Sequence, residues 1–337
     1  MKEEIAELFR KTYGEMPDCF TPVAPHGSSR TYYRVGNAKH TVVAAYNADE
    51  KENRAFVDFA KQLRQRGVNV PEIMAEDLEH GIYLQEDLGD RTLFDFIKTA
   101  SPEEIRQTYK RIVRELPRLQ ITATKGFDYT NAYPRKRFDD RSIRWDLNYF
   151  KYYFLKLADI PFSEEELERD FDTLTHYLLD TDTSFFLYRD FQSRNIMLKE
   201  GEIFFIDFQG ARQGALQYDL ASLLYDAKAD LSEELRKELL QTYMEELKKL
   251  IPVDEQEFID RFYAYVYIRI MQATGSYGYR GWFQQKTHFL QSIPFALDNL
   301  SRLQNAKRLK PNLPCLDRIF DRMVCNEKLR QLGRDTY

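Results

Sequence analysis

The chain has little cysteine and little histidine, and neither is set out for chemistry. Its three cysteines, Cys19, Cys315 and Cys325, are odd in number and lack metal-like spacing. That pattern suits reduced thiols in the cytosol and excludes a disulfide framework. The five histidines, His26, His40, His80, His176 and His288, show neither metal-ligand spacing nor a serine or cysteine arranged as a nucleophile. Charge of one sign is also missing: 49 Lys and Arg stand against 54 Asp and Glu, for a net charge of -5. Such a balance gives no long-range pull toward nucleic acid or anionic lipid. No apolar run is long enough to span a bilayer, and MKEEIAELFRKTYGE lacks the apolar core of a signal peptide. Neither a fixed-period repeat nor a low-complexity segment is present, which excludes solenoids and disordered arrays. The expectation is a cytoplasmic protein with no nucleic-acid and no membrane partner, whose 337 residues suffice for one large domain or two lobes.

What is present changes character near residue 90. Before it, RTYYRVG and HTVVAAY form a hairpin around Gly36 and Asn37, KENRAFVDFAKQLRQRG forms a helix closing on Gly67, and two more strand-like runs turn at His80 and Gly81. After Gly89 the pattern is helical, with apolar residues at three and four spacing near 102–122, 141–158, 163–180, 216–228, 232–250, 254–274 and 283–305. The organisation expected is an α+β chain with a small antiparallel β-rich N-lobe over 1–88, a large helical C-lobe over 89–305 and a helical tail over 306–337. The tail either docks on the core or leads elsewhere.

One stretch interrupts the helices. In FFLYRDFQSRNIMLKEGEIFFIDFQGA, residues 185–211, strands at 196–199 and 203–207 turn at Glu200 and Gly201. This hairpin sets the loop 189–195 beside the end of its second strand. Asp190, Asn195 and Asp207 are thereby brought together. Phosphoryl transfer from ATP needs cations held against the β and γ oxygens and a group that orients or deprotonates the acceptor hydroxyl. Magnesium accepts few protein ligands, all oxygen, so one carboxylate and one amide suffice. Asp207 and Asn195 are the metal candidates, and Asp190 is the catalytic candidate.

YRDFQSRN followed by FFIDFQ resembles the catalytic loop and metal motif of the kinase-like phosphotransferase superfamily, in the branch of the aminoglycoside phosphotransferases and choline kinases. HGSSRTYYRV, VNVPEIMAEDLEHGIYLQEDLGDRTL and FQGARQGALQYDLASLLYDA look closer still to bacterial N-acetylmuramate/N-acetylglucosamine anomeric kinases of cell-wall sugar recycling, over about residues 20–305. The resemblance implies a bilobal protein-kinase-like fold, ATP and Mg2+ as cofactors, and a small-molecule sugar substrate phosphorylated at its anomeric hydroxyl. It places Ser28 and Ser29 in a phosphate-covering hairpin. It also puts the backbone of Glu86 and Leu88 against adenine, and makes Asp219 either a brace for the catalytic loop or a helix cap.

Three departures follow. Tyr188 stands where histidine is usual, and Gln209 stands where protein kinases have glycine. TVVAAYN puts Ala44 or Ala45 where a lysine usually meets the phosphates. Two unit charges about 4 Å apart attract by roughly 4 kcal/mol at an effective dielectric of 20, so another cation must offset the loss. Arg30 or Arg34 is the candidate. For the acceptor, Gln192, Arg194, Gln209 and Arg212 flank the catalytic loop and suit neutral or anionic sugars better than polycations. Arg144 or Arg280 would pair with a lactyl carboxylate and Trp145 would stack on a sugar face, or serve as core. SYGYRGWFQQK, with Arg280 and Lys286, is expected as a loop carrying specificity or simply joining two helices. The rival functions are a kinase for another alcohol (aminoglycoside, choline or homoserine) and a catalytically silent nucleotide-binding regulator.

Overall fold

The structure, a computed structural model, describes residues 1–23 and 30–332, the side chains of 123 and 124 excepted. In chain order come α1 (Lys2–Tyr13), β1 (Cys19–Val23), β2 (Thr31–Gly36), β3 (Thr41–Tyr46), α2 (Glu50–Gln65), β4 (Ile73–Asp77), β5 (Ile82–Glu86), α3 (Leu93–Ile97) and α4 (Pro102–Thr124). Next are α5 (Asp140–Phe150), α6 (Glu164–Leu179), β6 (Phe185–Leu187), β7 (Ile196–Lys199), β8 (Glu202–Phe205) and β9 (Arg212–Gly214). The chain closes with α7 (Gln217–Leu224), α8 (Glu233–Leu247), α9 (Glu255–Gly278), α10 (Ile293–Asn305), α11 (Pro314–Val324) and α12 (Glu327–Gln331). Among the described residues no helix is long and apolar enough to cross a membrane.

These elements divide into two compact units. One comprises Met1–Thr108, Arg118–Lys136 and Tyr188–Arg212; the other comprises Tyr109–Pro117, Arg137–Leu187 and Gln213–Tyr337. In the first unit an antiparallel sheet runs in the order β1-β2-β3-β5-β4. The β2–β3 turn forms as its residues dictate, with the Asn37 side chain accepting the Lys39 and His40 N–H groups at 3.0 Å each. Helix α1 covers the sheet, its Ile5 and Phe9 packing with Val35, Val42, Ala44, Ile82 and Leu84. Helix α2 begins where Asp49 accepts the Glu52 N–H at 3.1 Å, an N-cap, and ends before Gly67 at φ +73.

The β7–β8 hairpin belongs to this first unit, not with the helical remainder where the sequence reading counted it. Its hydrogen bonds explain the grouping. Leu198 N–H donates to Arg91 O and Phe205 N–H to Asn69 O, each at 2.9 Å. Lys199 Nζ reaches Glu86 Oε1 and Asp87 O at 3.0 Å.

In the second unit α9 runs through the interior, burying most of its length from Phe258 to Gly278. The expected loop at 276–286 is instead helical as far as Phe283, since α9 continues to Gly278 and a π-helical turn follows at Tyr279–Phe283, and only 284–286 are irregular. Helix α5 is likewise extended by a π-helical turn at Lys151–Leu155, and the helix expected from 283 starts only at Ile293.

The tail docks within this unit. Helix α11 buries Leu316, Ile319, Phe320 and Met323, and Asp170 of α6 accepts the Leu316 N–H at 2.8 Å, satisfying the first turn of α11. Asp170→Ala is expected to lower stability by about 1–2 kcal/mol, measured as a drop in Tm. Asp170→Asn, which keeps an acceptor, should retain it. Burial holds the Asp170 carboxyl above its ordinary value. The proton-linked part of its contribution is therefore complete below the unfolded value and lost as pH rises through the folded one, and the Asn variant should lack this acid-range dependence.

Candidate active site

The three residues picked from the hairpin converge within the first unit. Asn195 closes a short 3-10 turn and is buried. Its Nδ2 donates to the Asp190 carbonyl at 2.8 Å and lies 3.4 Å from Asp207 Oδ2. With the nitrogen so engaged, Oδ1 is the end of the amide left for a cation. The backbone ties loop to strand, because Ile206 N–H donates to Asn195 O at 3.0 Å. Strand β8 stops at Phe205, two residues short of the expected end, and Asp207 lies beyond it at φ 67. Arg189, preceding Asp190, has φ 85. Left-handed non-glycine residues cost about 1–3 kcal/mol and persist where surrounding structure fixes them. Tyr188 supplies part of that fixing: it is 1% exposed, its OH donates to the Ile206 carbonyl, and its ring meets Phe191 and Phe208 edge-on. Its role is architectural.

Of the two arginines offered for the missing lysine, Arg30 is the one that stands beside Asp207. Ala44 and Ala45 of β3 are fully buried and carry no charge to the site. Arg30, 2% exposed just before β2, holds its guanidinium 3.5 Å from Glu52 Oε1 and 3.8 Å from Asp207 Oδ1. Burial opposes its charge, but the Tyr83 and Tyr32 phenols and the Glu52 and Asp207 carboxylates outweigh that and hold it protonated. Glu52 on α2, which the sequence reading passed over, is fixed in turn by Asn47 Nδ2 at 2.7 Å. Arg34 is engaged elsewhere: it forks onto Asp87 at 2.6 and 3.0 Å and reaches Asp90 at 2.9 Å. It is therefore withdrawn as a phosphate contact.

Gln209, put forward as a substrate contact, donates from Nε2 to Asp207 Oδ1 at 2.9 Å. Burial and then Asp190 push the Asp207 carboxyl above its ordinary value, while Gln209 and Arg30 act against that rise. Among the described residues no group of three or more His, Cys, Asp or Glu could hold a metal ion. The Asp207 carboxylate and Asn195 amide fit magnesium in another way, as two hard oxygen donors to an ion that takes its other ligands from phosphate and water. At the expected adenine contact, Glu86 N–H is already bonded to Glu72 O at 2.8 Å, whereas Leu88 N–H has no backbone acceptor among the described residues. Ser28 and Ser29 lie outside the described residues.

The other candidates lie in the second unit. Arg144 is held by Glu168 at 3.0 Å and by Asp172, so its charge is already answered. Trp145 is 48% exposed and is not core. Arg280 stacks on Phe289 with 5.0 Å to the ring centroid, and Lys286 is exposed. Asp219 is fully buried inside α7 and adds to the upward push that burial gives the Tyr243 phenol. It is not an N-cap.

An antiparallel β-rich portion followed by helices, with two acids and an asparagine on one hairpin, defines a protein-kinase-like phosphotransferase fold. Solved structures share it. A choline kinase from Streptococcus pneumoniae superimposes with a TM-score of 0.58 at 14% identity, over 88% of this chain and 99% of that one. An aminoglycoside 2'-phosphotransferase gives 0.63 at 12% identity, over 91% and 99%. The chain belongs to the phosphotransferase enzyme family called APH, whose profile matches residues 20–252. It is 30% identical over 231 residues to an N-acetylmuramate/N-acetylglucosamine kinase of Pseudomonas aeruginosa, a match covering 66% of this chain and 65% of that protein's length. A relative of the same name from Neisseria meningitidis serogroup B is 28% identical over 269 residues, 77% of each chain.

Proposed function

We propose that this protein is an ATP- and magnesium-dependent small-molecule kinase. Its acceptor is a sugar hydroxyl, the anomeric hydroxyl of N-acetylmuramate or N-acetylglucosamine, and its product is a sugar 1-phosphate. The observation that carries the reading is the convergence of Asp190, Asn195, Asp207 and Arg30 in one unit. The Asp190 side chain has no hydrogen bond or ion pair among the described residues, so it is available to accept a hydrogen bond from the acceptor hydroxyl and take its proton as the new O–P bond forms and the bond from the γ-phosphorus to the β–γ bridging oxygen breaks, that oxygen leaving with ADP. Asn195 and Asp207 would hold the magnesium ion, which when bound neutralises charge on the β and γ oxygens. Arg30 supplies fixed positive charge beside them, in the role a strand lysine has in protein kinases. Leu88 N–H offers the adenine a main-chain donor. The names of the relatives support the amino-sugar acceptor, as do the amides and arginines around the catalytic loop.

The test is magnesium-dependent ATP consumption across a panel of acceptors. Turnover with the two amino sugars supports the reading. Turnover only with an aminoglycoside, choline or homoserine overturns the acceptor and leaves the kinase. No turnover with any acceptor, together with retained nucleotide binding, makes the protein a silent regulator. A second expectation concerns the replaced lysine. Arg30→Ala should raise the KM for ATP roughly 10–100-fold, as loss of a few kcal/mol of attraction implies. Arg34→Ala should leave it within about twofold, since its guanidinium is committed to Asp87 and Asp90. Equal, small effects of both would remove Arg30 from the site.

A further inference from the structure

Gln209 touches Asp207 without carrying charge of its own or belonging to the catalytic loop. Its Nε2–H donates to Asp207 Oδ1 at 2.9 Å, and its Oε1 is buried with no hydrogen-bond partner. The two oxygens of Asp207 are thereby made unequal. Oδ1 is pinned by the amide and lies 3.8 Å from Arg30 Nη1, while Oδ2 takes only the longer N–H contact from Asn195 Nδ2, at 3.4 Å. A carboxylate on a left-handed backbone at φ 67, just past the end of β8, has no regular structure to set its torsion. The Gln209 amide sets it. A glycine at this position, as protein kinases have, supplies no such donor. An apolar residue would leave Oδ1 free to rotate between Arg30 and the cation.

We infer that Gln209 is a positioning residue for the cation-binding carboxylate: its amide N–H holds Asp207 Oδ1 so that Oδ2 faces a magnesium ion together with Asn195. The amide oxygen, fixed by the same contact, is an acceptor in search of a donor, and a water on the bound cation is the chemistry that fits it. Groups that orient a metal ligand typically contribute about 10–100-fold to metal affinity. This inference rests on the reading of Asp207 as a cation ligand, and the experiment separates the two.

A non-hydrolysable ATP analogue is titrated by calorimetry at a series of magnesium concentrations, with no acceptor present. For wild type, Gln209→Leu and Gln209→Asn, the readout is the magnesium concentration that gives half the full gain in nucleotide affinity. Gln209→Leu is expected to raise that concentration about 10–100-fold and to leave metal-free nucleotide binding unchanged. Gln209→Asn, one methylene shorter, should behave alike and serves if the Leu variant fails to fold. A purely structural role would lower Tm without moving the magnesium dependence, and that result overturns the inference. Asp207→Asn is the reference. If it too keeps the wild-type magnesium dependence, the reading of Asp207 fails with it; if Asp207→Asn shifts and Gln209→Leu does not, only the inference about Gln209 fails.

Discussion

Asp190→Asn is expected to lower kcat for magnesium-dependent phosphorylation by about 10²–10⁴, the usual contribution of a positioned general base, or about 3–5 kcal/mol of barrier. The KM for ATP should change little, because the hydrogen bond from this position to Asn195 is made by the backbone: the Asp190 carbonyl accepts Asn195 Nδ2 at 2.8 Å. Asparagine preserves that carbonyl and the side-chain shape and removes only the basic oxygen. A variant that kept turnover within about threefold of wild type, less than 1 kcal/mol, would show that the acceptor hydroxyl needs no base. Asp190 would then be reduced to a turn residue.

Gly278→Ala is expected to destabilise the protein by about 3 kcal/mol, the upper part of the range for overpacking. At about 2.1 cal/mol/K of unfolding entropy per residue, that corresponds to a Tm lower by roughly 4 °C for a chain of this length. Gly278 is helical, so alanine would otherwise gain about 1 kcal/mol of helix propensity. Space decides against it: an added Cβ would lie 1.8 Å from the Tyr153 carbonyl oxygen, and 2.9 Å from the carbonyl carbon. Both are backbone atoms on the extension of α5 and cannot rotate aside. Gly275 repeats the contact one turn earlier, 2.9 Å from Phe150 N and Tyr149 C. Ser276→Ala, on the same turn but with a half-buried side chain, should change stability by no more than about 0.5 kcal/mol. Equal melting of the two variants would mean that α5 and α9 do not approach as closely as described.

Gly278 marks the limit of what the sequence discloses. In a run with tyrosines and cations it signals a loop, because glycine's commonest local use is a turn. What demanded it was contact between two helices more than a hundred residues apart, which no local window contains. The catalytic hairpin was legible for the opposite reason: Asp190, Asn195 and Asp207 lie within eighteen residues, and strand alternation plus the turn at Gly201 suffices to bring them together. Arg30 and Arg34 sat at equivalent alternating positions, and sequence could not choose between them. The choice was made by their acids, Glu52 for one and Asp87 with Asp90 for the other. Glu52 itself was invisible, since an acid in the first turn of a helix ordinarily complements the helix dipole. Gln209 was noticed for its place in the motif, but its partner turned out to be the aspartate two residues before it.

Helix α2 holds the segment proposed to bind the metal at two adjacent points. Glu52 and Phe56 are one helical turn apart and share a face. The first faces Arg30, which in turn faces Asp207; the second stacks on Phe208 with ring centroids 4.7 Å apart and planes 9° apart. The two fastenings answer to different conditions. Salt screens the ionic one only weakly, because Arg30 is buried, and leaves the stack untouched, whereas cooling weakens apolar contact and spares the charges. No single change of medium releases both, and displacing α2 displaces Asp207 with it.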